Sequence, residues 1–456
     1  MKKIEMHEHG KPMSRRDFVS RGLIAGGGFV VAPTLAHLLI RKANADTPPV
    51  SHTPFLVFDL AGGASLPGNF LVGNKGGCRD LLGSYSNLGW NPKKDKIDDR
   101  FGLPMAGGGV SKILDGMLAV MSAGAQANFR MGSLLHTALI DSSQNALSAI
   151  TLVSKSGVIG KYVPKSLGTM ASSSGGNSRP AFESLELRPL FISHLEDLTQ
   201  AMGLYRTFAY FKGPTALSVI RQLRRLSVSQ LTRALSGNSQ EIIDSFDRKH
   251  DNMEKTMGGA LDLDPRKDPI FQGLYGINSN SNTVDTNVIR ASITRSVIKG
   301  ISGPGAITIS GCDYHNGQAA GDTKDLEIGL EIGRAVEAAH KLEAPLFIQI
   351  ITDGGNYPLP NTRNWAGDSN ETCMSVIGYY NPKGPVNFIN GKMQLGNYTE
   401  AQGADRSTLI GESAPLAAHA VFANYLQIDG RTNEFMDIAK NVFNKEQLQS
   451  VLMFEG

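Results

Sequence analysis

The segment Gly311-Cys312-Asp313-Tyr314-His315-Asn316-Gly317-Gln318 sets a carboxylate and an imidazole two positions apart, with a carboxamide at Gln318. Carboxylate oxygen and imidazole nitrogen are donors for zinc and similar divalent ions. In a loop, residues at this spacing can converge on one ion. Downstream, Thr352-Asp353-Gly354-Gly355-Asn356 offers Asp353 as a third ligand. Upstream, Ala61-Gly62-Gly63-Ala64-Ser65 ends a glycine turn with a hydroxyl, so Ser65 is a candidate nucleophile, and Ser310 is another. Neither serine has a histidine base in view, and a serine in such a turn often serves the turn itself. An Asp-x-His pair alone recurs by chance, so its weight depends on where the fold puts it.

The elements around these residues predict that placement. Ala306–Ser310 and Leu346–Thr352 are apolar β-type runs, and each ends in one of the polar clusters. Lys324–Leu342 between them has helical spacing at Leu326, Leu330, Ala335, Ala338 and Leu342. Strand, helix and strand of these lengths make a βαβ unit with parallel strands. In such sheets a ligand site lies beyond the carboxyl ends of the strands, where Asp313, His315, Gln318, Asp353 and Asn356 fall. Phe55–Leu60 (FLVFDL) reads as a central buried strand opening into the Gly62-Gly63 turn. Asp59 within it either points to the edge of the site or pairs with a buried base.

Elsewhere the pattern predicts a short helix over Val110–Gly116, a second buried strand over Leu118–Ser122 and a helix over Met131–Ile140 carrying His136. Ser156–Val163 reads as a turn into another short helix, and Gly168–Pro180 as a loop. Leu185–Gly258 changes character, with helical periods over Ile192–Met202, Pro214–Leu235 and Glu241–Met257, and reads as a helical insertion or cap. Its Arg221–Arg225 cluster could grip an anion, but it reads rather as an exposed helix face. Leu261–Asn282 reads as loop, Thr286–Lys299 as helix, Met374–Tyr379 and Val386–Phe388 as strands, and Ser413–Leu426 and Thr432–Phe443 as closing helices.

The first residues carry a different signal. Ser14-Arg15-Arg16-Asp17-Phe18-Val19 precedes the uncharged, glycine-rich run Gly22–Ile40, and Ala43-Asn44-Ala45 supplies a small-x-small cleavage site. Paired arginines before a mildly apolar run resemble a twin-arginine export signal. This predicts a signal peptide over residues 1–45, the twin-arginine translocase as partner, and a periplasmic or secreted mature chain without a stable membrane anchor. The competing reading is an uncleaved helix that anchors the N-terminus. A formal charge of +3 over 456 residues gives no reason to expect a nucleic-acid partner. Cys78, Cys312 and Cys373 are too few for a disulfide framework and have no CxxC spacing. At most one bridge, such as Cys78–Cys373, is available to them.

The order of parts resembles an exported bacterial family, domain of unknown function fifteen-oh-one, which is related in fold to alkaline phosphatases and sulfatases. That family has a strand ending R-G-G-A-D-G, a segment like G-W-L-G-R-Y, a G-x-D-T-H-x-x-Q motif, a strand ending S-E-F-G-R-T-P and a G-T-D-H-G loop. The corresponding stretches here are Ala61–Ala64, Ser156–Tyr162, Gly311–Gln318 and Thr352–Pro358. The resemblance implies an α/β fold with three layers and a largely parallel central sheet over residues 46–456, with 185–258 as the insertion. It implies hydrolysis of phosphate or sulfate esters with a divalent metal (zinc, calcium or magnesium) on Asp313, His315 and Asp353, and catalytic roles for Ser65 and Gln318. The chain departs from the pattern where the family's first arginine is Ala61, its acidic residue is Ser65, and its second arginine is Asn356. Gly367-Asp368-Ser369-Asn370-Glu371 stands in place of the last loop. The alternative is therefore a non-catalytic relative with a binding or cell-envelope assembly role.

Overall fold

The structure is a computed structural model that describes residues 52–73, 96–138, 146–161, 163, 165–169, 179–181, 187–201, 225, 263–315, 322–352, 354–358, 365–367, 371–399 and 403–456. The chain divides into two compact units, Met1–Val50 with Gly203–Asp262, and Ser51–Met202 with Leu263–Gly456. Apart from Arg225, the described residues belong to the second unit. The leader and the segments Pro214–Leu235 and Glu241–Met257 lie outside what can be described, Arg225 excepted.

Ten strands form one sheet: β1 (Phe55–Leu60), β2 (Phe129–Thr137), β3 (Leu167–Thr169), β4 (Leu190–Ile192), β5 (Gly305–Ile309), β6 (Leu346–Thr352), β7 (Asn356–Pro358), β8 (Trp365–Gly367), β9 (Thr372–Tyr380) and β10 (Gln394–Leu395). Their order is β8-β7-β9-β6-β1-β5-β3-β4, with β2 on β9 and β10 on β2. The run β6-β1-β5-β3-β4 is parallel. Beyond β6, β9 is antiparallel to both β6 and β2. Every residue of β1 and β6 is buried. A strand covered on both faces needs apolar side chains on both, which is why these runs do not alternate. Gln349 in β6 is accommodated because its amide accepts from Ala149 N at 3.0 Å and donates to Leu147 O at 2.7 Å.

Helices cover both faces. On one, α1 (Lys112–Val120), α3 (Glu196–Ala201), α4 (Pro269–Tyr275), α5 (Thr286–Ile298) and α6 (Asp322–Lys341) join Leu56, Phe58 and Leu60 in a core that includes Ile113, Met117, Leu198, Val288, Ile293, Ile328 and Ile332. On the other, α2 (Ile150–Lys155) and α7 (Ala414–Ile428) pack Leu152, Val421 and Tyr425 against Phe55 and Val57. The architecture is mixed α/β with a mostly parallel centre. The predicted βαβ unit is present as β5-α6-β6, and its crossover spans β1, which lies between the two strands.

Several local expectations fail for identifiable reasons. Leu118–Ser122 is not a strand: Leu118–Val120 end α1, whose N-cap Ser111 accepts a hydrogen bond from Leu114 N. A five-residue apolar run does not separate buried helix from buried strand. Met131–Ile140 is not a helix; β2 occupies Phe129–Thr137 and pairs with β9 from Thr137↔Thr372 to Phe129↔Tyr380. All of β2 except Arg130 is buried, so the alternation that marks a strand is absent. The helix expected after Ser156 lies before it, as α2. Within Leu261–Asn282, α4 starts at the N-cap Asp268 and stops at Gly276 in the left-handed region. These are ordinary cap signals that the loop reading passed over. Val386–Phe388 is not a strand, although Phe388 bridges to Phe454. Leu190–Ile192, within the stretch read as insertion, is the sheet's edge strand β4.

Candidate functional site

The loops that leave β1, β5 and β6 are stitched together at the carboxyl ends of those strands. Ala61 N donates to Ile309 O at 3.0 Å, Cys312 N to Ala61 O at 2.9 Å and Tyr314 N to Gly63 O at 3.4 Å. Ala64 N donates to Thr352 Oγ1 at 2.6 Å, and Gly367 N to Tyr314 O at 3.1 Å. Two glycines are required by this approach. Gly62 has φ +112°, and a Cβ there would lie 3.0 Å from Asp313 N. A Cβ on Gly367 would collide with Gly63 O.

On this platform Asp313 and His315 meet. His315 Nδ1 lies 2.5 Å from Asp313 Oδ1, and both side chains are about half exposed, at 54% and 46% respectively. With the ring neutral and its Nδ1 proton given to Asp313, the lone pair sits on Nε2. This is the arrangement in which a carboxylate orients an imidazole for a metal or a proton. Tyr314 between them is 1% exposed. Its hydroxyl donates to Asp325 Oδ1 at 2.9 Å. Asp325 stands in the first turn of α6 and is itself 1% exposed. Neither Tyr314 nor Asp325 was singled out from sequence; an acidic residue in the first turn of a predicted helix reads as a solvated end.

Ser65 lies at the same end of β1, buried, and its Oγ has no hydrogen-bond partner. Among the described residues, no histidine or carboxylate is hydrogen-bonded to it. Asn356 at the start of β7 is fully buried, and neither its Oδ1 nor its Nδ2 has a partner. Gln318 and Asp353 lie outside the described residues, as do Asp368 and Cys78. Glu371 is exposed and forms an ion pair with Arg406. Asp59 is 4% exposed and accepts from Thr308 Oγ1 at 3.3 Å. Among the described residues, no group of three or more His, Cys, Asp or Glu side chains is arranged to hold an ion. Asp313 and His315 thus supply two donors of suitable type, and a complete donor set needs a further residue.

His136, Cys312 and Cys373 are buried. His136 is fully buried, with Nδ1 2.8 Å from Thr137 O and Nε2 3.0 Å from Ser375 Oγ. Burial pushes its pKa down to about 4. The Cys373 thiol is buried and lies 3.6 Å from Gly354 O. The Cys312 thiol is raised by burial and next by the nearby Asp325 charge, and it donates to Ile309 O at 3.2 Å. Both are inert thiols by the criteria that govern cysteine reactivity. No helix among the described residues is long and apolar enough to cross a membrane. Comparison with protein-family profiles, curated proteins and solved structures gives no match to this chain.

Proposed function

We propose that this is an exported protein of the alkaline phosphatase and sulfatase class, with three α/β layers, whose carboxyl-end site is a divergent metal-dependent hydrolase of phosphate or sulfate esters. The observation that carries this reading is the Asp313–His315 contact, half exposed at the carboxyl ends of parallel strands while the residue between them is buried. Asp313 accepts the hydrogen bond of His315 Nδ1–H, which leaves the Nε2 lone pair available, and Asp353 is the carboxylate that completes the donor set. A divalent ion held there would polarise an ester oxygen and lower the pKa of a bound water. Gln318 serves as a hydrogen-bonding group to the ester. Export through the twin-arginine translocase would deliver the chain, already folded, to the periplasm.

The test is hydrolysis of p-nitrophenyl phosphate and p-nitrophenyl sulfate by the exported protein, with and without added divalent ions and chelator. Chelator-sensitive turnover that is lost in His315→Ala is expected; turnover that survives that substitution contradicts the assignment. A second reading, a non-catalytic relative that binds a ligand or serves envelope assembly, is favoured by Ser65 and Asn356. Both stand where the resembling family has charged residues, and both are buried without partners. Metal binding without turnover on either ester would select it.

A further inference from the structure

We propose that Asp325, acting through Tyr314, is the positioning residue of the Asp313–His315 pair. The inference rests on the reading of that pair as the working site. Tyr314 is the only residue between the two polar side chains, and it points the opposite way: it is 1% exposed while they are about half exposed. Its hydroxyl donates to Asp325 Oδ1 at 2.9 Å. The other oxygen, Asp325 Oδ2, accepts from Asn69 Nδ2 at 2.9 Å. Asn69 Oδ1 in turn accepts from Ser111 Oγ at 2.6 Å, and Ser111 Oγ caps α1 by accepting from Leu114 N at 3.1 Å. The loop after β5 is thereby fixed to the starts of α1 and α6 and to the loop after β1. Asn69, Ser111 and Asp325 are all buried.

A buried carboxylate is a poor way to gain stability, since apolar residues of similar volume often fill such a place as well or better. It is a good way to fix direction. A carboxylate accepts a hydroxyl in a directional hydrogen bond, stronger than one between neutral groups. Placed at the first turn of α6, its charge also lies at the favourable end of the helix dipole. The Tyr314 ring then has one setting, and the backbone on either side of it holds Asp313 and His315 on the solvent side within contact distance of each other.

The experiment uses the full exported chain and three variants: Tyr314→Phe, Asp325→Asn and Asp325→Leu. Binding of Co²⁺ alone is followed by titration and by its visible absorption bands, and hydrogen exchange is followed by mass spectrometry on peptides covering 310–316. Tyr314→Phe and Asp325→Leu are expected to weaken Co²⁺ binding by about 10- to 100-fold, the usual effect of removing an outer partner of a ligand. They should also speed exchange in 310–316 by about 10-fold, with β1 and β5 unchanged. Asp325→Asn keeps an acceptor for the hydroxyl but sets its amide NH2 against the Asn69 Nδ2 donor, so both properties should fall between those of the wild type and Asp325→Leu. The inference is overturned if exchange quickens across α1 and α6 with no excess in 310–316, since the network is then only a brace. Wild-type Co²⁺ affinity in Tyr314→Phe overturns it as well. If the wild-type chain binds no Co²⁺, the metal reading has failed, and the exchange result alone decides the positioning role.

Discussion

Two histidines illustrate how position decides role at the scale of the residue. His315 is half exposed and paired with a carboxylate; His136 is fully buried between Thr137 O and Ser375 Oγ. For His136 the folded pKa of about 4 lies below the usual value of 6.5. The unfolded chain therefore takes up a proton that the folded chain refuses. Its contribution is fully present above about pH 6.5 and is lost as pH falls toward 4, to a limit of roughly 3 kcal/mol. Urea unfolding at pH 7.5 and at pH 5 should show this fall in the wild type and a shallower fall in His136→Asn. An unchanged slope in the variant would place the acid sensitivity elsewhere. The Asp313–His315 contact was legible in the sequence because the residues are two apart and no fold is needed to bring them together. The Tyr314–Asp325 bond was not, because its partners are eleven residues apart and its carboxylate looks like a solvated helix start. His136 was assigned to the wrong element for a related reason: a strand buried on both faces carries no period.

At the scale of the element, the platform depends on how closely α1 and α6 approach. A Cβ on Gly116 would lie 2.5 Å from Leu326 O, and one on Gly333 would lie 3.0 Å from Met117 O. A Cβ on Gly329 would run into Ile113 O. These obstacles are backbone atoms, which cannot swing aside. Gly116 on α1, with Gly329 and Gly333 one turn apart on α6, therefore forms a seam with no room for a methyl group. Gly329→Ala is expected to destabilise the domain by about 1–3 kcal/mol through overpacking, despite alanine's better helix propensity. Thermal denaturation measures it, and a raised Tm would contradict the tight seam. Because α6 also carries Asp325, the same substitution should loosen the loop that holds Asp313. The β5-α6-β6 crossover was legible because a 20-residue amphipathic helix between two apolar runs leaves little choice. The seam was not, since glycines inside a helical pattern read as mild weaknesses until the partner helix is known.

For the whole molecule, the parallel centre followed from apolar runs and the long helix between two of them. In the antiparallel half, β9 was legible as a strand at Met374–Tyr379, whereas β2 was not because it is almost uniformly buried, and β7 and β8 were not because each is three residues long. The leader makes a claim that the fold does not touch. If Arg15-Arg16 directs folded export, an Arg15→Lys, Arg16→Lys variant should remain in the cytoplasm in its folded form. Its arrival in the periplasm would contradict that route. Joined together, the proposed export signal and the proposed carboxyl-end site predict a protein that folds around an ion before it leaves the cell. The most direct measurement is elemental analysis of the exported, folded chain beside its His315→Ala variant. About one divalent ion per wild-type chain is expected, and its loss in the variant. A wild-type chain without stoichiometric metal, or a variant that keeps it, would contradict the claim.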